Sequence, residues 1–376
     1  MIIKNARILT DDFVLRQGDL RIEGATIAEI GSNLSGGDVL DAEGRMLLPG
    51  LVDIHTHGCM GYDTCDGDPA GYQAMCDFYA SRGVTSFLFT TMTLGRQRLE
   101  QIFTEIGQFC DRHSRGAVPR GIYVEGPFLN YTRRGAQAGE HIIPPDVPFL
   151  EHLNHLSGNR AKVVAVAPEV PGAIAFIDHA KERYTITLAH TDADYDTAVL
   201  AARQGAALVT HLYNGMTPFT QREPGVPGAV FDTSLYAEII CDGMHNHPSM
   251  VRVAFKSAAP HRMVLISDSM RAAGMPDGEY ELGGQPVTVK NGRATLADGT
   301  LAGSATNVLD CLRNVVGWGI PLGQAVEAAS LNPATVIGLD HLIGSIAPGK
   351  RADLLLTDER FTPHAVFIGG QIWKGA

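Results

Sequence analysis

Eight short apolar segments, each followed by a segment of helical character, constrain the fold of this chain most strongly. The apolar segments are rich in Val, Ile, Leu and Ala, as expected of strands that are buried on both faces. Helical segments lie between them, for example at 69–82, 95–113, 172–183, 193–204 and 248–259. This alternation predicts a (β/α)8 barrel, in which active sites lie at the carboxyl ends of the strands. The predicted strands are 51–55, 84–89, 120–125, 162–167, 184–190, 206–211, 236–241 and 263–268.

The two ends of the chain have a different pattern, with short β-like segments separated by Gly and polar turns. Neither end is long enough to form a stable sheet alone, so we expect the two to pair. The prediction is a small β-sandwich domain, built from 1–48 plus 345–376, beside a catalytic barrel at 49–344. Asn291-Gly292 and Asp298-Gly299 predict a β-hairpin insertion at about 280–300. The predicted terminal strands are 2–9, 19–23, 26–30, 38–47 and 352–357, with a hairpin at 365–373 that turns at Gly369-Gly370.

Charge and length exclude several classes of function. A chain of 376 residues accommodates a barrel and one small domain. The formal net charge of −11 argues against a broad surface for nucleic acid or anionic membrane, although a few clustered cations would still suffice for an anionic small substrate. The sequence shows neither a signal peptide nor an apolar run of membrane-spanning length. We therefore expect a cytoplasmic protein.

The cysteines give a weaker indication. All six are scattered, without a Cys-x-x-Cys pair, which favours free thiols in a reducing compartment. Cys59, Cys65 and Cys241 lie near predicted strand ends, so a thiolate metal ligand stays open at this point.

Metal-capable side chains end four of the eight predicted strands. His55 and His57 are two residues apart at the first strand end, and we expect them to project to the same side. Glu125, His190 and His211 end three further strands. Each alone is also typical of a satisfied polar residue at a strand terminus, but a set of two His and one Glu with an open position is a hydrolytic metal site.

Asp268 ends the last predicted strand. A carboxylate in this position is suited to accept a proton from an attacking water, because a neighbouring metal lowers the pKa of water. A metal ligand and a structural N-cap are the alternatives.

Motifs along essentially the whole chain resemble the amidohydrolase superfamily and, within it, the N-acetylglucosamine-6-phosphate deacetylase family. The superfamily resemblance rests on Pro49-Gly-Leu-Val-Asp53-Ile-His55-Thr-His57-Gly58 and Gly344-Ser-Ile-Ala-Pro-Gly-Lys-Arg-Ala-Asp353-Leu. Five further stretches resemble the deacetylase family: Glu125-Gly-Pro-Phe128, Ala167-Pro-Glu169, His211-Leu-Tyr-Asn214-Gly-Met216, Asp242-Gly-Met-His245 and Leu301-Ala-Gly-Ser304.

This resemblance implies roles for individual residues. Glu125, His190 and His211 correspond to the primary metal ligands, and Asp268 to the general base and acid. His55 and His57 correspond to a pair present in only some members, where a second ion binds. The resemblance also implies a homodimer. The implied substrate-binding residues are Gln137, Asn214, Gly215, Arg222, His245 and Ala302, with Arg222 at the phosphate-binding position.

The resemblance implies hydrolysis of the N-acetyl group of N-acetylglucosamine 6-phosphate. N-acetylgalactosamine 6-phosphate remains an alternative substrate, because the two sugars differ at one hydroxyl. The other possible functions are those of a cyclic-amide hydrolase, a deaminase and a non-catalytic scaffold. One or two divalent ions are expected, and the ligands suit Zn, Fe, Mn and Co alike. Two positions depart from the usual family pattern: Gly215, where Ala is common, and Ser267-Asp268-Ser269-Met270, where Thr-Asp-Ala-Met is usual.

Overall fold

The computed structural model describes residues 1–113 and 115–375. Its strands are β1 (Ile2–Leu9), β2 (Leu15–Glu23), β3 (Thr26–Gly31), β4 (Val39–Asp41), β5 (Met46–Pro49), β6 (Leu51–Asp53), β7 (Gly58–Cys59), β8 (Tyr62–Asp63), β9 (Val84–Thr91), β10 (Val118–Val124), β11 (Ala161–Val166), β12 (Thr185–Leu188), β13 (Ala206–Val209), β14 (Tyr236–Ile240), β15 (Met263–Ile266), β16 (Gly278–Leu282), β17 (Gln285–Lys290), β18 (Arg293–Thr295), β19 (Leu354–Thr357), β20 (Pro363–Ile368) and β21 (Gln371–Ile372). Its α-helices are α1 (Pro69–Ser81), α2 (Arg96–Arg112), α3 (Val147–Leu156), α4 (Ala173–Ala180), α5 (Tyr195–Gln204), α6 (Gly225–Asp232), α7 (Pro248–Ser257), α8 (Val308–Gly317), α9 (Leu322–Ala328) and α10 (Leu331–Val336).

An eight-stranded parallel sheet carries the predicted apolar segments. Its order is β15-β14-β13-β12-β11-β10-β9-β6, so neighbours in the sheet are consecutive among these strands. The first and last strands also adjoin at their carboxyl ends, where Thr56 pairs in parallel with Ser269 and the Asp268 amide donates to the His55 carbonyl at 3.0 Å. The fold is therefore mixed α/β around one parallel sheet.

Both faces of this sheet are covered, which explains why the strands are continuously apolar. In β11, Val163 and Ala165 belong to one apolar cluster, and Val164 and Val166 belong to another. Successive side chains of a strand point to opposite faces, so each strand supplies both clusters. Helix α2 shows how the outer layer forms: its buried residues include Leu99, Ile102, Phe103 and Ile106, at the spacing of one helical face.

Strands from the two ends of the chain form a second sheet, in the order β21-β20-β19-β5-β1-β2-β3, with β4 also paired to β1. The two ends join where β5 pairs antiparallel with β19, placing Leu48 opposite Leu355. Phe367 on β20 is fully buried in the apolar cluster of this sheet, together with Ile3 and Leu47. A separate three-stranded antiparallel sheet, β16-β17-β18, occupies the region of the predicted hairpins.

Some element bounds differ from the sequence prediction. The strand predicted at 38–47 is two strands, β4 and β5, and the one predicted at 19–23 begins at Leu15. Helices at 307 and from 321 onward are predicted and correspond to α8, α9 and α10, whereas α3 and α6 are not among the predicted segments. Helix α6 has Gly225, Pro227 and Gly228 within eight residues, a composition that opposes helix formation in isolation. Its burial against neighbouring elements outweighs that propensity.

No helix among the described residues is long and apolar enough to cross a membrane.

We expect the sheet formed by both ends to contribute substantially to stability. Replacing Phe367 with Ala deletes a fully buried ring and should lower the free energy of unfolding by about 3–5 kcal/mol. The control is Val39→Ala in the same sheet, where the side chain is 55% exposed and the change should stay within about 0.5 kcal/mol. Urea unfolding followed by circular dichroism measures both variants. Equal midpoints for the two variants would contradict this view of the sheet.

Candidate active site

The candidate site is built from residues that immediately follow parallel strands. Glu125 comes directly after β10, whereas His55, His190, His211 and Asp268 each lie two residues beyond a strand. The predicted strands were therefore slightly too long at these ends. His190, His211 and Asp268 have positive φ angles of 45°, 29° and 50°, so the backbone turns out of the strand direction before each side chain. Because the strands are parallel, their carboxyl ends bring these side chains together.

Four imidazoles converge on the carboxylate of Glu125. All five side chains are buried; His190, at 8%, is the most exposed of these residues. Two sets have ligand atoms within 4.8 Å of one another: His55, His57 and Glu125, and Glu125, His190 and His211. The distances from imidazole Nε2 to a Glu125 oxygen are 3.5 Å for His55, 3.2 Å for His57, 3.2 Å for His190 and 3.3 Å for His211. The predicted ligands thus lie together around one shared carboxylate.

The ring orientations of two histidines favour a cation between them. His190 Nδ1 lies 2.9 Å from the Arg133 carbonyl oxygen, and His211 Nδ1 lies 3.0 Å from that of Asn214. A carbonyl oxygen only accepts, so both Nδ1 atoms carry hydrogen. In neutral rings the lone pairs of both Nε2 atoms then face each other at 3.3 Å and face the carboxylate of Glu125. A divalent ion bound by these atoms removes that repulsion, so the residues fit a metal.

The pKa shifts in the cluster also indicate a site that suits a cation. Burial would raise the pKa of the Glu125 carboxyl, but the neighbouring histidines outweigh burial and hold this pKa well below its usual range. Burial would likewise lower the pKa of His57, but hydrogen bonds to Asp268 and Glu125 raise it to about 9. Without a metal, the cluster therefore attracts protons to the positions where metal ions would bind.

Asp268 lies at the edge of the ligand cluster. Its Oδ1 is 3.3 Å from His57 Nε2 and 3.6 Å from His55 Nε2. Burial would raise its pKa, but the hydrogen bond from His57 and the charges of both histidines lower the pKa of this carboxyl below its ordinary value. An ionised carboxylate beside the ligands is the form that a general base requires.

A cavity of about 300 Å³ opens onto these groups. Its lining includes four of the predicted substrate-binding residues, Gln137, Asn214, Gly215 and His245, together with His57, Glu125, His190, His211 and Asp268.

Two other predicted substrate-binding residues are not in the lining of this cavity. Ala302 is buried, between the lining residues Leu301 and Gly303. Arg222 is exposed and lines a separate cavity, together with Arg133 and Asp192. The chain therefore does not bring the Arg222 guanidinium beside the ligand cluster.

Gln137 and Gly215 contact the ligands directly. The Gln137 amide donates from Nε2 to Glu125 Oε2 at 2.7 Å and accepts from the Thr93 amide at 2.7 Å, so it fixes the Glu125 carboxylate. Gly215 has φ of +62°, and a Cβ there would lie 3.1 Å from His190 Nδ1. A side chain at this position would therefore crowd the His190 imidazole, whereas glycine leaves enough space for the ring.

His245, which lines the cavity, is held by Asp242. Asp242 Oδ2 accepts from His245 Nδ1 at 2.8 Å, and Asp242 Oδ1 accepts from the His245 amide at 2.9 Å. Burial would lower the pKa of His245, but the hydrogen bond and charge of Asp242 raise it. Asp242 thus fixes the orientation of the His245 ring in the lining of the cavity.

Sequence reasoning missed Glu238, a fully buried residue within β14. Its Oε2 lies 3.0 Å from His55 Nδ1. The only signal in the sequence was a carboxylate inside an apolar strand, Tyr236-Ala-Glu-Ile-Ile240. The three cysteines considered as ligands are not in either ligand set found among the described residues. Burial raises the pKa of the Cys59, Cys65 and Cys241 thiols, which disfavours thiolates.

Comparisons with known proteins agree with this geometry. Residues 46–373 match the model of the amidohydrolase family. An N-acetylgalactosamine-6-phosphate deacetylase of Escherichia coli is 36% identical over 99% of this chain and 98% of its own length. An N-acetylglucosamine-6-phosphate deacetylase of Lysinibacillus sphaericus is 34% identical over 99% of this chain and 97% of its own.

Solved structures give the same result. The N-acetylglucosamine-6-phosphate deacetylase of Pasteurella multocida superposes with a TM-score of 0.93 at 28% identity, over 100% of this chain and 99% of its own. A mutant of the Mycobacterium smegmatis enzyme, in complex with N-acetyl-D-glucosamine-6-phosphate, has a TM-score of 0.92 at 29% identity. The match covers 99% of this chain and 98% of that chain. The chain belongs to the amidohydrolase family and, within it, to the N-acetylglucosamine-6-phosphate deacetylases.

Proposed function

We propose that this chain hydrolyses the N-acetyl group of N-acetyl-D-glucosamine 6-phosphate, giving glucosamine 6-phosphate and acetate. The observation that carries the proposal is the convergence of four imidazoles and Asp268 on buried Glu125 at one cavity. Such a set suits hydrolysis of an unactivated amide, which needs carbonyl polarisation and an activated water. Curated relatives that match nearly the full chain carry the same activity in their names.

The proposed architecture is a closed (β/α)8 barrel at 49–344 with a small β-sandwich domain built from 1–48 plus 345–376. Contacts between the first and last parallel strands support closure, since Ser267 Oγ donates to Asp53 Oδ2 at 2.5 Å and Thr56 pairs with Ser269. The β5–β19 pairing supports a domain formed by both ends. A barrel would place the ligand cluster at its catalytic end.

We propose that Glu125, His190 and His211 would hold the first ion and that His55, His57 and Glu125 would hold a second. A divalent ion there would polarise the substrate carbonyl and lower the pKa of water, and Zn, Fe, Mn and Co all suit these ligands. Gln137 keeps the Glu125 carboxylate in position through its 2.7 Å hydrogen bond.

Asp268 would act twice in the reaction. It accepts a proton from the attacking water as the water oxygen bonds to the acetyl carbon. It then returns this proton to the sugar nitrogen as the C–N bond breaks, so acetate and the free amine leave. His245, oriented by Asp242, would donate a hydrogen bond to the oxygen that gains charge on the former carbonyl.

The phosphate would be bound by Arg222, with Asn214, Gly215 and Ala302 closer to the sugar. In the described part of the chain, Arg222 has no ion-pair partner, so its fork of donors is available to an anion. We further propose a homodimer and a cytoplasmic location, on the sequence arguments given above.

The experiment that tests the function is acetate release from N-acetylglucosamine 6-phosphate, N-acetylgalactosamine 6-phosphate and unphosphorylated N-acetylglucosamine. Each sugar is assayed with added divalent metal and after chelation. Metal-dependent release from the phosphorylated glucosamine derivative, well above the other two, is expected. No release from any sugar would refute the proposal. Preference for the galactosamine derivative would support the second candidate, which the similarity to the Escherichia coli relative favours.

Replacing Asp268 with Asn should lower kcat by about 10²–10⁴-fold, because the amide cannot accept the proton from water. Metal content should stay at the wild-type level, since Asp268 is not among the primary ligands. Steady-state kinetics and elemental analysis measure the two effects. The control, Asp38→Asn, changes an exposed carboxylate and should leave both unchanged. Full activity in the Asp268 variant would rule out this mechanism.

Replacing Arg222 with Ala should raise KM for the phosphorylated sugar by about 10- to 100-fold, the equivalent of one charge-assisted contact. Activity toward the unphosphorylated sugar should not change. Arg203, another exposed arginine, provides the matched control in Arg203→Ala. If the activity of the Arg222 variant falls equally toward the phosphorylated and the unphosphorylated sugar, Arg222 does not bind the phosphate.

A further inference from the structure

Glu238 occupies a position behind the ligand cluster that the reaction described above does not use. The residue is fully buried, and its Oε2 lies 3.0 Å from His55 Nδ1. The same oxygen accepts from the His211 amide at 3.3 Å and from the Tyr123 hydroxyl at 3.4 Å. Oε1 is buried with no hydrogen-bond partner among the described residues. Glu238 is thus a buried carboxylate whose one ion-pair partner in the described chain is His55.

This contact fixes the tautomer of His55. An ionised carboxylate only accepts, so His55 Nδ1 carries hydrogen and Nε2 presents a lone pair. His55 Nε2 is buried and has no hydrogen-bond partner among the described residues, although it faces Glu125 and Asp268. An unpartnered buried nitrogen aimed at carboxylates is the arrangement expected of a metal ligand.

Glu238 also distinguishes the His55 side of the cluster from the opposite side. His190 and His211 are oriented by backbone carbonyls, which are neutral. His55 alone among these three is oriented by a carboxylate. An ion on the His55 side would therefore have a carboxylate behind one of its imidazole ligands, whereas the Nδ1 atoms of His190 and His211 contact neutral carbonyls.

Charge balance gives this difference a consequence. Glu125, Glu238 and Asp268 supply three carboxylates to this cluster, and no Lys or Arg among the described residues pairs with any of them. If all three are ionised, their negative charge exceeds what one divalent ion balances, and a buried excess charge is costly. Glu238 and Asp268 both lie beside His55, so this excess favours a further cation on the His55 side.

We propose that Glu238 is a positioning residue that holds His55 in its metal-binding tautomer and makes a second divalent ion bind at His55 and His57. The inference rests on the proposed function, because it assigns the metal occupancy of that same site. Glu238 determines how many ions the cluster holds, whereas Glu125, His190 and His211 bind the first ion without it.

The test is metal binding by the full chain after metal removal, titrated with Mn²⁺ and followed by calorimetry and electron paramagnetic resonance. The wild type should bind two ions, and Glu238→Gln should bind the second about 10- to 100-fold more weakly while the first keeps its affinity. The coupled-ion signal of the resonance spectrum should disappear at concentrations that saturate the wild type. Glu238→Gln keeps the side-chain volume and removes a buried charge, so folding should persist.

Two further variants make the result specific. Glu327 Oε1 also lies close to a histidine Nδ1, that of His261, at 2.6 Å, away from the ligand cluster, so Glu327→Gln is the matched control and should bind both ions normally. Combining Glu238→Gln with His55→Asn should weaken the second ion no more than His55→Asn does alone, since Glu238 acts through His55. If the losses of affinity in the two single variants add up in the double variant, Glu238 does not act through His55.

Either of two results would overturn the proposal: a wild-type chain that binds one ion at saturating Mn²⁺, or a Glu238→Gln variant with two wild-type affinities. If Glu238→Gln fails to fold, Glu238→Asp withdraws the carboxylate from His55 and should weaken the same ion; unchanged binding there would refute the proposal equally. Acetate release, measured in parallel, separates the two ideas. If the wild type releases acetate but Glu238→Gln binds both ions normally, only the role of Glu238 is refuted. If Glu238→Gln loses the second ion but the wild type releases no acetate, only the deacetylase activity is refuted.

Discussion

The buried carboxylate of Glu125 is the interaction on which the site depends. Two histidines that follow β6 and two that follow β12 and β13 approach its oxygens within 3.5 Å. Buried imidazoles and a carboxylate with facing lone pairs are stable together only if protons or metal ions lie between them. The surrounding structure keeps these groups in place: Gln137 holds the carboxylate, and backbone carbonyls or Glu238 hold the distal nitrogens of three of the rings.

The fold supplies this convergence through parallel strands rather than through neighbours in sequence. Glu125 and His211 are 86 residues apart, and Asp53 and Ser267, which join the first and last strands, are 214 apart. His55, Glu125, His190, His211 and Asp268 each lie within two residues of a strand end, so the buried strands fix their positions while the following loops are free to vary. The sheet formed by both ends contacts this framework through Leu48 of β5 and Leu355 of β19, which share an apolar cluster with Val84 of β9.

Particular residues show what the sequence could and could not predict. His55, Glu125, His190, His211 and Asp268 were found because each follows an apolar run at the same place in a repeating pattern. The strands were predicted about two residues too long, because Ala189 and Thr210 are apolar or β-branched but precede residues with positive φ. Glu238 was missed because nothing local separates an orienting carboxylate from a structural one. The place of Arg222 outside the cavity depends on tertiary packing, which spacing does not reveal.

The central claim is that the cluster around Glu125 holds a metal at which the N-acetyl group is hydrolysed. A crystal structure of the Asp268→Asn variant with N-acetylglucosamine 6-phosphate, recorded at the absorption edge of the bound metal, tests this most directly. The account predicts an anomalous peak between Glu125, His190 and His211, with the acetyl group of the sugar facing it in the cavity. A sugar bound elsewhere, or a cavity that holds the sugar without any metal peak at these ligands, would contradict it.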